Sequence, residues 1–378
     1  MSEKLNGLEL TRNLVSFNTI NPPGNERPCV EYIADLMKKK GFETTFHEYE
    51  TGRTNLIARL PPTTTAVRKP IVFSGHIDTV PLGQAAWSVS PFDGEVHDGK
   101  LYGRGTSDMK SGVAACVLAA IKLADLQVRN AEVAVIISAG EETGYKGVLE
   151  LVKHPKLLGE CGALIVAEPT DNRPMVGHKG SLWLNLHFKG VTAHGSMPNL
   201  GKNAIYKACK AIEILKNFNF KVEPHAILGG PTLNVGNMKA GMNVNSVPDF
   251  AVVGVDIRTT VGQTNAQVRG AIAAALDNEV EIEILTDMEH VYTDPEDPWM
   301  SSSIAISEKI LGGAVKIETA TYFTDASVLK PAFGNPPTLI MGPGVLAMAH
   351  QTDEYCEVDK IDTCSEIFQA IGGENYVL

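Results

Sequence analysis

Cysteine pairs, long apolar runs and an excess of basic residues are all missing from this chain. Its six cysteines (Cys29, Cys116, Cys161, Cys209, Cys356 and Cys364) stand singly, without a C-x-x-C pair. A disulfide framework or a thiolate zinc site needs clustered cysteines, so the scatter fits reduced thiols with no common role. The longest apolar run, Gly112 to Ile121, falls well short of the ~20 residues of a membrane span. The N-terminal MSEKLNGLEL mixes charges into its first residues and carries no apolar stretch ending in a small-residue cleavage site, so a cytoplasmic protein is expected. Basic residues number 33 against 44 acidic ones, and the net charge of −11 argues against nucleic acid or an anionic membrane as partner. Neither a fixed-period repeat nor a low-complexity tract is present, which sets solenoids and disordered tails aside.

What is present is a chain of 378 residues, long enough for two domains, with the 44% hydrophobic and 20% charged content of a soluble globular protein. Two helices are expected between Leu5 and Gly41, separated by the turn Asn21-Pro22-Pro23-Gly24, the second near Pro28 to Lys40. Strands are expected near Asn55 to Leu60 and at Ile71 to Asp78, and Asp93-Gly94 and Asp98-Gly99 are hairpin signals. Helix Val113 to Ala124, strand Val133 to Ser138, helix Lys146 to Val152 and strand Ala163 to Ala167 then alternate. That alternation predicts an α/β fold, a mostly parallel sheet with helices on both faces. After Gly177 the pattern changes: SLWLNLHFKG alternates apolar and polar residues, helices fit Asn203 to Phe218 and Asn265 to Leu276, and strands fit Asp249 to Arg258 and Val280 to Leu285. This reads as a smaller inserted α+β domain over 179–287, between segments 1–178 and 288–378 of the first domain. Helix Ser302 to Leu311, strand Pro337 to Met341 and helix Lys360 to Ala370 complete the first domain.

Ligands in open α/β sheets gather beyond the carboxyl ends of strands. IVFSGHID ends in that position, with His76 suited to offer a ring nitrogen to a metal and Asp78 to orient it. Asp108 precedes a helix, Glu141-Glu142 and Glu168 follow strands, and His350 lies a few residues beyond one. Each has an ordinary alternative: a helix cap for Asp108, solvated or loop acids for the glutamates, a satisfied core histidine for His350. If His76, Asp108, Glu142, Glu168 and His350 converge in one cleft, the acids among them would repel one another without cations. Two divalent metals resolve this, because three carboxylates and a hydroxide offset four positive charges. Mixed imidazole and carboxylate ligation without cysteine suits zinc, with cobalt or manganese as substitutes.

GHIDTVP, YGRGTSDMKSG, EETG, AEPT and HQTDEY, in this order and spacing, resemble the two-metal amidohydrolase and peptidase family of acetylornithine deacetylase, succinyl-diaminopimelate desuccinylase, aminoacylase and glutamate carboxypeptidase. The likeness covers nearly the whole chain. It implies that His76, Asp108, Glu142, Glu168 and His350 bind metal, that Asp108 bridges, and that His76 and Glu168 serve one ion while Glu142 and His350 serve the other. It also implies that Glu141 is the general base acting on a metal-bridging water, with Asp78 behind the ligands. The inserted domain resembles a lid and dimerisation domain, so a homodimer is expected. In TAHGSMPNLGKNA, His194 resembles a histidine that a partner subunit sends into the site. GMNVNSVPDFAVVGVDIR resembles the segment that places Asn245 and Arg258 near a substrate carboxylate, an exposed salt bridge being the plain alternative for Arg258.

The activity so implied is hydrolysis of the amide of an N-acyl amino acid. HKG at His178 to Gly180, PTLNVG at Pro231 to Gly236 and HQTDEY most resemble the acetylornithine deacetylase branch. YFTDASVLK departs from the Gly-Thr-rich stretch of the desuccinylases, and dipeptidases or carboxypeptidases share the core. Two rivals belong to other classes. Ser107-Asp108-Met109-Lys110 is formally S-x-x-K, which would make Ser107 a nucleophile helped by Lys110, although no S-D-N or K-T-G partner accompanies it. A dinucleotide loop at Gly103-x-Gly105 would carry Asp108 where the third glycine belongs, against a pyrophosphate.

Overall fold

A computed structural model describes residues 5–65, 68–277 and 280–374. The chain divides into two compact units, residues 1–177, 292–320 and 324–378 in the first and 178–291 with 321–323 in the second. In the first unit the chain runs α1 (Gly7–Ser16), α2 (Arg27–Lys38), β1 (Glu43–Glu50), β2 (Arg53–Leu60), β3 (Arg68–His76), β4 (Val96–His97), β5 (Lys100–Tyr102), α3 (Ser111–Ala124), β6 (Ala131–Ser138), α4 (Lys146–Leu151), α5 (Pro155–Leu158), β7 (Ala163–Val166) and β8 (Met175–His178). Through the second unit it forms β9 (Ser181–Lys189), α6 (Ala204–Lys216), β10 (Thr232–Ala240), β11 (Phe250–Arg258), α7 (Asn265–Ala275) and β12 (Glu281–Met288). It returns as β13 (Val291–Tyr292), α8 (Pro298–Leu311), β14 (Glu318–Ala320), α9 (Ala326–Ala332), β15 (Thr338–Ile340), β16 (Tyr355–Glu357) and α10 (Val358–Gly372).

The large sheet has the order β1-β2-β6-β3-β7-β15-β8-β13, with β14 joined to β8. Its centre is parallel: β3 pairs with β6 and β7, and β15 with β7, while β1, β2 and β8 pair antiparallel. The central strands are buried almost throughout, as a sheet covered on both faces requires. Helix α3 is nearly all apolar and packs with α1 and α10, while α4 lies with α5 and α9. Because β3, β6, β7 and β15 run the same way, their carboxyl ends open on one edge. His76 ends β3 directly opposite Ser138 at the end of β6.

Several elements have no counterpart in the sequence reading, among them β1, α5, β8, β13, β14, α9 and β16. Strand β1, ETTFHEYE, was not expected because it is a polar edge strand whose residues alternate between exposed and half-buried. Of the two hairpin signals only Asp98-Gly99 joins paired strands, β4 and β5; at the other, the Gly94 carbonyl accepts a hydrogen bond from Arg12 Nε.

The second unit is an antiparallel sheet, β10-β11-β9-β12, one strand more than the sequence suggested. The extra strand, β10, is a half-exposed edge with a register shift between Val235 and Asn237, which dilutes its alternation. One face of the sheet packs Leu182, Leu184, Leu186 and Phe188 of β9 with Val253 and Ile257 of β11 against α6 and α7. Helix α7 begins at a capping box between Thr264 and Gln267. The second unit also takes in Phe323, whose ring meets Trp183 edge-on at 6.1 Å. No helix among the described residues is long and apolar enough to cross a membrane.

Candidate active site

At the carboxyl edge of the first unit, His76 is buried, and its Nδ1 lies 3.0 Å from the Asp78 carbonyl oxygen. An N–H there donates to that carbonyl, so in the neutral ring Nε2 carries a lone pair. Nε2 faces Asp108 Oδ1 at 3.1 Å, one acceptor against another. His350 Nε2 also faces carboxylates, 3.3 Å from Asp108 Oδ2 and 3.2 Å from Glu142 Oε2. His350 sits at φ +64°, in the left-handed region that non-glycine residues occupy only when the surroundings hold them there. Ligand atoms of His76, Asp108 and Glu168 lie within 4.8 Å of one another, and so do those of Asp108, Glu142 and His350. Asp108 is common to both groups.

Electrostatics at the site favour positive charge. Burial raises the Glu141, Glu168 and Glu142 carboxyls above the usual range, and neighbouring carboxylates add to the rise. Hydrogen bonds to Asp108 and Glu142 lift His350 to about 10. His76 is raised although burial opposes its charge, because Asp108, Glu141 and Glu168 face it. Glu142 Oε1 is buried with no hydrogen-bond donor among the described residues. Paired imidazole and carboxylate acceptors, an orphaned carboxylate oxygen and raised proton affinities are what two oxygen- and nitrogen-ligated cations would relieve, and the absence of sulfur suits a borderline or harder metal. The residues fit such ions.

The loops that present these groups are held from behind. Asp78 is fully buried, and its Oδ1 and Oδ2 accept from the backbone N–H groups of Glu141 and Glu142 at 3.1 and 3.2 Å. Glu354 lies within HQTDEY but had no role in the sequence reading, yet its buried carboxylate accepts from the backbone N–H groups of Gly105, Ser107 and Asp108 at 2.8 to 3.0 Å and from Arg104 Nη1 at 2.7 Å. Asp325 was also missed. It is buried beside Ser138, whose hydroxyl donates to its Oδ2, and burial pushes its carboxyl up to about 6. Glu354 had a signal, its place four residues after His350, whereas Asp325 offered none.

Ser107 and Lys110 are committed elsewhere. Ser107 Oγ donates to the Tyr355 carbonyl at 2.6 Å and accepts from Val345 N–H at 2.9 Å, while Lys110 Nζ donates to the Phe17 carbonyl at 2.8 Å. A serine nucleophile needs its hydroxyl paired with a base, so this geometry removes that rival.

His194, Asn245 and Arg258 belong to the second unit. The loop of His194 is joined to the segment of Asn245 by Gly195 N–H donating to the Asn245 carbonyl at 2.8 Å, and both residues are exposed. Ser196 N–H donates to His194 Nδ1 at 3.2 Å, so the neutral ring carries its proton on Nε2 as a donor. Arg258 forms the ion pair that its plain reading requires: Nε and Nη2 meet Asp256 Oδ1 and Oδ2 at 2.9 and 3.1 Å. Its guanidinium stands 5.9 Å from the Trp183 ring centroid and 5.6 Å from that of Phe323. Nη1 makes no hydrogen bond among the described residues.

The parallel-centred α/β unit brings together two candidate ligand groups that share one aspartate. Residues 72–372 match the model of Peptidase family M20/M25/M40, and the chain belongs to that family. It is 31% identical to a succinyl-diaminopimelate desuccinylase of Wolbachia pipientis, over 99% of this chain and 94% of that one. It is 29% identical to an acetylornithine deacetylase of Pasteurella multocida, over 95% and 94%. A dinuclear metal binding peptidase of Bacillus subtilis has the same fold, with a TM-score of 0.71 at 16% identity over 97% of this chain and 96% of that one. The chain is thus a hydrolase of a family acting on amides.

Proposed function

We propose that the protein hydrolyses the amide of an N-acyl amino acid, an N-acetyl group being preferred, with two divalent cations of which zinc is the first choice and cobalt or manganese substitutes. The observation that supports this is the sharing of Asp108 between two ligand groups, His76 with Glu168 and Glu142 with His350, beside a buried carboxyl that is not part of either. Cations bound there would supply Lewis acidity and bring the ionisation of water toward neutral pH. Glu141 does the proton chemistry. It accepts a proton from the attacking water, holds it where burial and neighbouring carboxylates raise its proton affinity, and delivers it to the leaving nitrogen. Asp78 keeps Glu141 in place through the backbone.

In this reading His194, from the partner of a homodimer, donates an Nε2–H hydrogen bond to the developing oxyanion and keeps its proton. Exposed apolar residues of the second unit, Leu200, Tyr206, Met242 and Val244, support such an interface. Asn245 and Arg258 take the substrate carboxylate. Asp256 occupies one edge of the Arg258 guanidinium and leaves Nη1 for it.

The relatives divide between acetyl and succinyl groups, so the test is a panel of N-acetyl, N-formyl and N-succinyl amino acids and dipeptides given to metal-loaded protein. The highest kcat/KM is expected on N-acetyl amino acids. Amidating their α-carboxylate should raise KM, and Arg258→Ala should then add little. Faster turnover of succinyl compounds or dipeptides would overturn the acyl preference.

A further inference from the structure

The turn Asn21-Pro22-Pro23-Gly24 is far from the ligands in sequence, yet it is built into the floor of the site. Thr19 Oγ1 donates to the Ile77 carbonyl at 2.7 Å, Thr79 N–H to the Thr19 carbonyl at 3.1 Å, and Asn21 N–H to the Thr79 carbonyl at 2.8 Å. Residues 19–21 thereby run beside 77–79 as one more short parallel pairing, and Ile20 bridges Thr79. The far side of the turn is clamped by the buried Arg53, which donates to the Pro23 carbonyl at 3.2 Å and to both oxygens of Glu26 at 2.9 and 3.0 Å.

Asn21 is 2% exposed. Nδ2 donates to Asp78 Oδ2 at 2.9 Å and to Thr143 Oγ1 at 2.8 Å. Both targets bear on Glu141. Asp78 holds the backbone N–H groups of Glu141 and Glu142, and Thr143 is the next residue of the same loop. One amide group therefore ties the loop carrying the base to the strand end carrying His76. The partner also dictates the residue type: opposite a buried carboxylate only a donor is tolerated, and an aspartate of the same shape would set two carboxylates face to face.

We infer that Asn21 is a positioning residue for the reaction, fixing Glu141 relative to the ligand groups through Asp78 and Thr143. This rests on the role given to Glu141 above. Residues behind a metal or catalytic group change affinity or activity by about 10- to 100-fold when replaced. Asn21→Ala should thus lower kcat about 10- to 100-fold with KM changed less than about threefold, and should weaken cobalt binding, followed by visible absorption, by about tenfold. Asn21→Asp should be worse than Asn21→Ala, and Thr143→Ala should lower kcat in the same direction but less. Melting temperature is measured for each, since a purely architectural asparagine would move it while leaving kcat per folded molecule unchanged. If Asn21→Asp does not fold, Asn21→Ala and Thr143→Ala still decide the matter. Unchanged kcat and cobalt affinity in folded Asn21→Ala would overturn the inference. Glu141→Ala is run beside them: an inactive Glu141→Ala with a fully active Asn21→Ala removes only the Asn21 role, whereas an active Glu141→Ala removes the base on which it rests.

Discussion

Glu141 and Glu142 are adjacent in the chain and share the backbone support of Asp78, yet only Glu142 is drawn into a ligand group. Its Oε2 meets His350 while Oε1 has no donor among the described residues, and Glu141 lies against Tyr145, whose side chain hydrogen-bonds it. Two variants separate the roles. Glu141→Ala should lose about 10²- to 10⁴-fold in kcat while elemental analysis finds its metal unchanged, because a proton carrier and no ligand is lost. Glu142→Ala should lose metal instead, and the reverse pattern would contradict the assignment. At this scale the sequence is informative where a residue ends a strand, as His76 does, or follows one, as Glu141, Glu142 and Glu168 do. It is silent on Asn21 and gives Glu354 no partner, since their contacts join residues 57 and 250 positions apart.

Helices α3 and α4 meet the strand ends at glycines. A Cβ on Gly112 would come within 2.0 Å of the Ala167 carbonyl oxygen, and one on Gly147 within 2.1 Å of that of Ala139. Ala167 precedes Glu168 and Ala139 lies two residues before Glu141, so these close approaches set the depth of two functional loops. Gly112→Ala measures the effect. Helix propensity alone would favour alanine by about 1 kcal/mol, but overpacking against backbone costs about 1–3 kcal/mol. The variant should therefore have a lower urea midpoint and reduced kcat, and a midpoint at or above that of the parent would show that α3 can shift without cost. Central strands and helices were legible as buried apolar runs and alternation. Strands β1 and β10 were not, because an edge strand exposes the residues that would mark it, and a register shift breaks the period.

Across the whole molecule the residues proposed to carry the chemistry divide between two units: the candidate ligand groups and Glu141 belong to one, and His194, Asn245 and Arg258 to the other. If His194 serves the partner's site, mixing inactive His194→Ala and Glu141→Ala chains should restore activity, since one site of the mixed dimer has both groups. No recovery in a dimer verified by mass would rule out action across the interface. The claim beneath all of this is that paired cations belong where Asp108 joins His76 with Glu168 and Glu142 with His350, and metal dependence tests it most directly. The protein is stripped with a chelator, shown by elemental analysis to be metal-free, and titrated with zinc or cobalt while amide hydrolysis is followed. Activity should vanish on stripping and return to a plateau at about two equivalents per chain. Full activity in the verified metal-free protein would contradict the account.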